Sequence, residues 1–389
     1  MSLSTPGCDI GPGSVAADAP AVQLVEVLVT TGVDADGAPI RSRVANDGTT
    51  RGVLGTSSII LRFDRFLDPL SPTRQAICLQ PTLGRTTSYL DCQGVDFLQP
   101  TYDPVWRRVE YRQQAGARLA AQTTYQLTIF RAPDDAAPGF RAFDGAPFGQ
   151  DATLELATAA MDPPAATDEL PPKGDRFCED APCLEACEAA PTVKACGAPC
   201  AITATACAAA CATEACRGEC ATAAASCRAA CIGACRARCP AGVARLLGVC
   251  AGCHGASVDG PDGFVGAAAG LDLSSSAGIV ATALGQVAHQ TQTGEHAARG
   301  EAHPARFGRA MPIVSPGFPG DSYLLYKQIV GADYAASEAA PALDEIERLR
   351  ATVVVGMPMP PAAGTWPGLG GLAQQTRWIG LGAETQACP

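Results

Sequence analysis

Cysteine constrains this chain more than any other residue. There are nineteen in 389 residues, and thirteen of them fall between Cys178 and Cys239. Thiols at that density belong in an oxidising compartment, so the chain reads as exported to the periplasm or the cell envelope. Its first twenty residues, MSLSTPGCDIGPGSVAADAP, hold no apolar run of a signal peptide, so the export signal is expected to be absent from this sequence. Thr5-Pro6-Gly7 ahead of Cys8 makes a poor lipobox, which argues against a lipid on that cysteine.

Most of the thirteen come in Cys-x3-Cys pairs: 183/187, 196/200, 207/211, 216/220, 227/231 and 235/239. On a helix turning ~100° per residue, offsets of 0, 4, 11 and 15 fall within about 60° of one another. Cys196, Cys200, Cys207 and Cys211 have those offsets, and so do Cys216, Cys220, Cys227 and Cys231. Two such stripes joined at Ala212–Ala215 predict a helical hairpin laddered by disulfides 211–216, 207–220, 200–227 and 196–231, then 187–235 and 183–239. The mostly Ala filler lets the helices approach to the Cα separation of about 5.5–6 Å that disulfides need. The rung 211–216 is the weakest, because only four residues turn the chain. The arrangement resembles the twin Cys-x3-Cys helical hairpins. The rival reading is soft-metal storage, but such clusters usually sit in short Cys-x-Cys or Cys-x-x-Cys loops. Cys178 is left over, with Cys8 or Cys388 as partner.

Around this block the composition changes. Residues 1–20 read as a leader or flexible segment, 21–160 as a β-domain, 161–177 as a Pro-rich linker, 178–239 as the Cys-rich hairpin, and 240–389 as a third domain. The runs at 21–29, 57–65, 106–111, 123–130 and 152–158 alternate apolar with polar residues between Gly, Asp and Pro. That pattern predicts about seven antiparallel strands in a β-sandwich. Cys78 and Cys92, fourteen apart, are expected to close a surface loop with a disulfide. Two phrases, IILRFDRFLDPLSP and LAAQTTYQLTIFRAPDD, resemble the bacterial Ig-like domains of surface-layer and other exported proteins, which space or dock other modules. The net charge of −11 argues against nucleic acid or an anionic membrane as partner. No apolar run approaches the ~18 residues of a spanning helix.

The third domain carries chemistry. Cys250-Ala251-Gly252-Cys253-His254 is a Cys-x-x-Cys-His sequence, the attachment pattern of c-type haem. Two thiols three residues apart on a helical turn reach the two vinyl groups, and the adjacent His lies beneath the iron. With 19 Cys and 4 His in 389 residues, chance would give this pattern about once per hundred such chains. A thioredoxin-like dithiol would need a βαβ context, and a zinc site would need further ligands at ordered spacing. The remaining histidines, His289, His296 and His303, are scattered and read as solvated loop residues.

Further phrases extend the pattern. GLDL (270–273), PGFPGDSYLLYKQIVG (316–331), MPP (359–361) and WIGLGA (378–383) follow the motif in order, so residues 245–384 resemble the single-haem cytochrome c modules of exported bacterial proteins. The resemblance implies an all-α, class I-like haem domain with one covalent haem c, whose iron His254 and Met359 hold, and a packing role for Trp378. Met357 and Met311 are the alternatives to Met359, and a His of the 289–312 insert would give a bis-His haem. Two protein ligands leave no open iron position, so the expected role is electron transfer with redox-protein partners, not catalysis. The rivals are a peroxidase-like haem enzyme and a surface adhesion protein with an accessory haem.

Overall fold

The structure is a computed structural model. It describes residues 19–35, 38–81, 88–92, 94, 97–132, 137–162, 201–203, 205–236, 243, 246–247, 250, 254, 258–260, 263–265, 270–288, 311–334, 337, 340–354, 358–359 and 368–385. They fall into two compact units. One comprises the described residues up to 162 together with Ala283–Ala383, and the other runs from 201 to Thr282 with the chain end from Glu384.

Eight antiparallel strands begin the first unit: β1 (Leu24–Val33), β2 (Pro39–Arg43), β3 (Ile59–Phe63), β4 (Ile77–Pro81), β5 (Leu98–Asp103), β6 (Arg108–Gln113), β7 (Thr124–Ile129) and β8 (Ala152–Ala157). They form a five-stranded sheet ordered β2-β1-β3-β6-β5 and a three-stranded sheet ordered β4-β7-β8. Val27, Val29, Ile59, Leu61, Phe63, Val109 and Tyr111 from the first sheet share one core with Ile77, Leu79, Tyr125, Leu127, Leu154 and Leu156 from the second. The expected β-sandwich is therefore present. Alternation drives it, because a strand that buries every second side chain has one face to press against another sheet. On the same sheet Glu26 sits directly opposite Arg62, and their side chains pair at 2.6 Å.

The strands that alternation had not marked out lie at edges. β5 contains Pro100, which lacks a ladder donor, and the edge of the five-stranded sheet is where such a residue is tolerated. β4 edges the smaller sheet, and its first four residues are all buried. The disulfide Cys78–Cys92 ties β4 to the following loop, as expected from sequence. Closing a loop of that length stabilises by roughly 3 kcal/mol in the chain-entropy model.

Helices from the chain's end complete this unit: α3 (Tyr323–Ile329), α4 (Leu343–Thr352) and α5 (Leu369–Gly380). The SYLLYKQI and TRWIG phrases thus form helices, and Trp378 is 1% exposed. A buried ionic joint seats α4 on the sandwich. Arg65, just beyond β3, pairs with Asp144 at 2.5 Å and with Glu345 at 3.0 Å, and all three side chains are at most 8% exposed. The other Glu345 oxygen accepts the Phe66 amide at 2.8 Å. Phe143 meets Tyr326 edge-on with ring centroids 5.1 Å apart. Gly320 lies against the Tyr102 ring so closely that a Cβ there would collide with it, so the position requires glycine.

The second unit contains the cysteine hairpin. Residues 201–203 and 205–210 are helical, the chain bends at 211–213, and α1 (Glu214–Arg236) follows. Disulfides Cys207–Cys220 and Cys211–Cys216 join its two arms. Those are the two innermost rungs expected from the cysteine stripes, including the tight one. Cys227 is disulfide-bonded as well. The other expected rungs involve cysteines outside the described residues, as does any pairing of Cys178. Beyond the hairpin, Val258–Gly260 (β9) and Gly263–Val265 (β10) form a short antiparallel pair, and α2 spans Ser276–Thr282.

Candidate functional site

The Cys-x-x-Cys-His motif lies in the second unit. Residues 243, 246–247 and 250 are helical. The His254 amide donates to the Cys250 carbonyl at 2.8 Å, which is one α-helical turn. Residues four apart on such a turn share a face, so the backbone sets Cys250 and His254 side by side, both half-buried. Cys253 lies outside the described residues.

Behind the histidine, its own carbonyl accepts the Leu273 amide at 2.6 Å. Leu273 ends the Gly270-Leu271-Asp272-Leu273 phrase and is buried. Asp272 turns the chain there, taking the Ser274 amide at 2.9 Å and the Ser274 hydroxyl at 2.6 Å. Its own amide donates to the Thr282 hydroxyl of α2 at 2.8 Å. The phrase thereby links the backbone of the motif to α2. A motif held on both sides suits a histidine that must keep a fixed orientation.

Of the methionines considered as sixth ligand, two are described. Met359 is half-buried, and its amide donates to the Lys327 carbonyl of α3 at 3.1 Å. Met311 has no exposed surface, and its carbonyl accepts the Ala288 amide at 2.9 Å. Met311 is thus sealed in a core, whereas Met359 keeps some accessible surface. Met357, His289, His296 and His303 lie outside the described residues.

Two features around Met359 escaped the sequence reading. Lys327 is 6% exposed although charged, and burial pushes its ammonium down to about 8. The available signal was a lone Lys inside the apolar run YLLYKQI. Gln328 and Gln375 exchange side-chain amide hydrogen bonds at 3.0 and 3.1 Å, tying α3 to α5. Nothing in either segment's local pattern marks that pair. Among the described residues no helix is long and apolar enough to cross a membrane. No family model matches this chain, and no curated protein is similar enough to count as a match.

Proposed function

We propose that this is an exported, bacterial-type electron-transfer protein carrying one covalent c-type haem on Cys250 and Cys253, with His254 as proximal ligand and Met359 as the sixth. In this reading the cytochrome c-like haem module is drawn from residues 240–389 and an Ig-like module of the cell envelope from 21–160, with helices α3–α5 of the former folded in one compact unit with the latter. The observation that carries it is the Cys250-x-x-Cys253-His254 motif with its helical turn, His254 amide to Cys250 carbonyl at 2.8 Å. The disulfides of both units favour the oxidising compartment in which covalent haem is found.

When bound, the haem supplies one-electron chemistry at its iron. The chain's part is to hold it. Cys250 and Cys253 would hold the ring and His254 its iron, while the Leu273 hydrogen bond steadies the histidine's backbone. A thioether at Met359 favours the ferrous state and so a higher potential than a second histidine would give. If His254 and Met359 both hold the iron, they would keep small molecules from it, as a carrier rather than a peroxidase requires. Its partners are then redox proteins of the periplasm or cell surface.

The test is a reduced-minus-oxidised visible spectrum with pyridine haemochrome analysis on chain secreted by a host that attaches haem c. One haem per chain is expected, resistant to acid-acetone. In the Cys250→Ala/Cys253→Ala variant the haem should extract completely. Haem that stays covalently bound in that variant would refute the assignment.

A further inference from the structure

The tip of the cysteine hairpin gathers four sulfurs into one small volume. The Sγ atoms of Cys207, Cys211 and Cys220 all lie within 4.8 Å of one another, and those of Cys211 and Cys220, which belong to different disulfides, are 3.5 Å apart. Cys216 is the disulfide partner of Cys211 and so lies at the edge of this three-sulfur group. In a tetrahedral zinc site with Zn–S distances of ~2.3 Å, neighbouring sulfurs are about 3.8 Å apart. The Cys211–Cys220 separation across the two disulfides is close to that distance, and the two bonded pairs would open towards it once reduced. Cys220 is buried, at 4% exposure, and Cys211 and Cys216 are half-buried, so an ion there would be partly withdrawn from water. Cys216 also lies in the first turn of α1, where the helix N-terminus favours a thiolate.

We propose that Cys207, Cys211, Cys216 and Cys220, once reduced, bind a single Zn2+ as a closed four-sulfur site. Two equivalents of a dithiol supply four electrons and four protons, breaking the two S–S bonds and becoming disulfides themselves. The four thiols then release their protons as Zn2+ binds. The hairpin tip thus has alternative staples, two disulfides when oxidised and one metal ion when reduced. It holds its two helices together before oxidation as well as after it, because metal binding to such a site stabilises the folded state directly.

The experiment uses the full chain, reduced anaerobically with dithiothreitol, desalted, and loaded with Zn2+ alone. Zinc content is measured by elemental analysis and its coordination by zinc-edge X-ray absorption, neither of which depends on haem. The Cys211→Ser/Cys216→Ser variant should carry one zinc fewer per chain than the parent. A variant with Ser at Cys196, Cys200, Cys227 and Cys231 should still bind one zinc with four sulfur neighbours. Equal zinc in the parent and the Cys211/Cys216 variant would overturn the proposal. So would loss of all zinc from the second variant, which leaves the four proposed ligands intact, or a parent that binds none.

Discussion

Replacing Glu345 by Ala tests whether the end of the chain is locked to the sandwich by a buried charge cluster. The change removes the acceptor for Arg65 Nε at 3.0 Å and for the Phe66 amide at 2.8 Å. It leaves the Arg65 side chain, 4% exposed, hydrogen-bonded to Asp144 and the Pro20 carbonyl but without its second buried carboxylate. Removing one member of a buried ion pair costs roughly 3–5 kcal/mol, and since Asp144 remains, about 3 kcal/mol is expected. For a unit of this size each kcal/mol shifts the midpoint by ~2–4 °C, so the thermal transition should fall by roughly 6–12 °C. Urea denaturation followed by far-ultraviolet circular dichroism gives the same quantity isothermally. The reasoning also fixes a sign. Arg65→Met, Asp144→Asn and Glu345→Leu together remove the three buried charges of the joint, so the triple variant should be more stable than Glu345→Leu alone, which leaves the buried arginine with one of its two carboxylate partners. A loss below about 1 kcal/mol for Glu345→Ala, or a triple variant less stable than the single one, would refute the joint as described.

Two other outcomes follow from the first unit. Burial lowers the Lys327 ammonium to about 8, below its unfolded value, so between those two values the unfolded chain binds more protons than the native one. Stability should therefore rise as pH increases from about 8 to 10, and Lys327→Met should flatten that rise in urea titrations at each pH. At the proposed haem, Met359→Ala should abolish the weak far-red sulfur-to-iron band of the ferric protein and admit exogenous ligands, whereas Met357→Ala should keep the band. The reverse pattern would transfer the role to Met357, and a six-coordinate spectrum in both variants would point to the 289–312 insert.

What the sequence revealed depends on how local each signal is. β1, β3, β6, β7 and β8 were legible because period-2 alternation records a strand with one buried face. β4 was not, since four consecutive buried residues look the same in a strand as in a buried helix. β9 and β10 are only three residues each, too short for any period, although Asp262-Gly263 at their junction is a turn signal. The disulfides 207–220 and 211–216 were legible because helical geometry converts cysteine spacing directly into proximity. The Arg65–Glu345 joint spans 280 residues, and nothing near either residue marks it out. Such contacts are written only in the packing of distant segments.

The same distinction orders the two ends of the proposed haem site. Attachment of the proposed haem would need two thiols and an imidazole within five consecutive residues, because a rigid ring fixes how far apart the groups are that the thiols and the imidazole would bind. A local rule of that kind survives any surrounding fold, and the one-turn hydrogen bond from His254 to Cys250 is its backbone expression. The sixth ligand obeys no such rule. It must only be brought near from a loop, so sequence leaves several methionines and histidines in contention, and burial becomes the discriminating quantity. Met311 is sealed in a core while Met359 keeps accessible surface on a loop pinned to the Lys327 carbonyl. That pin holds the Met359 backbone to α3, whose Gln328 is bonded to Gln375 of α5, so packed helices anchor the residue proposed as sixth ligand.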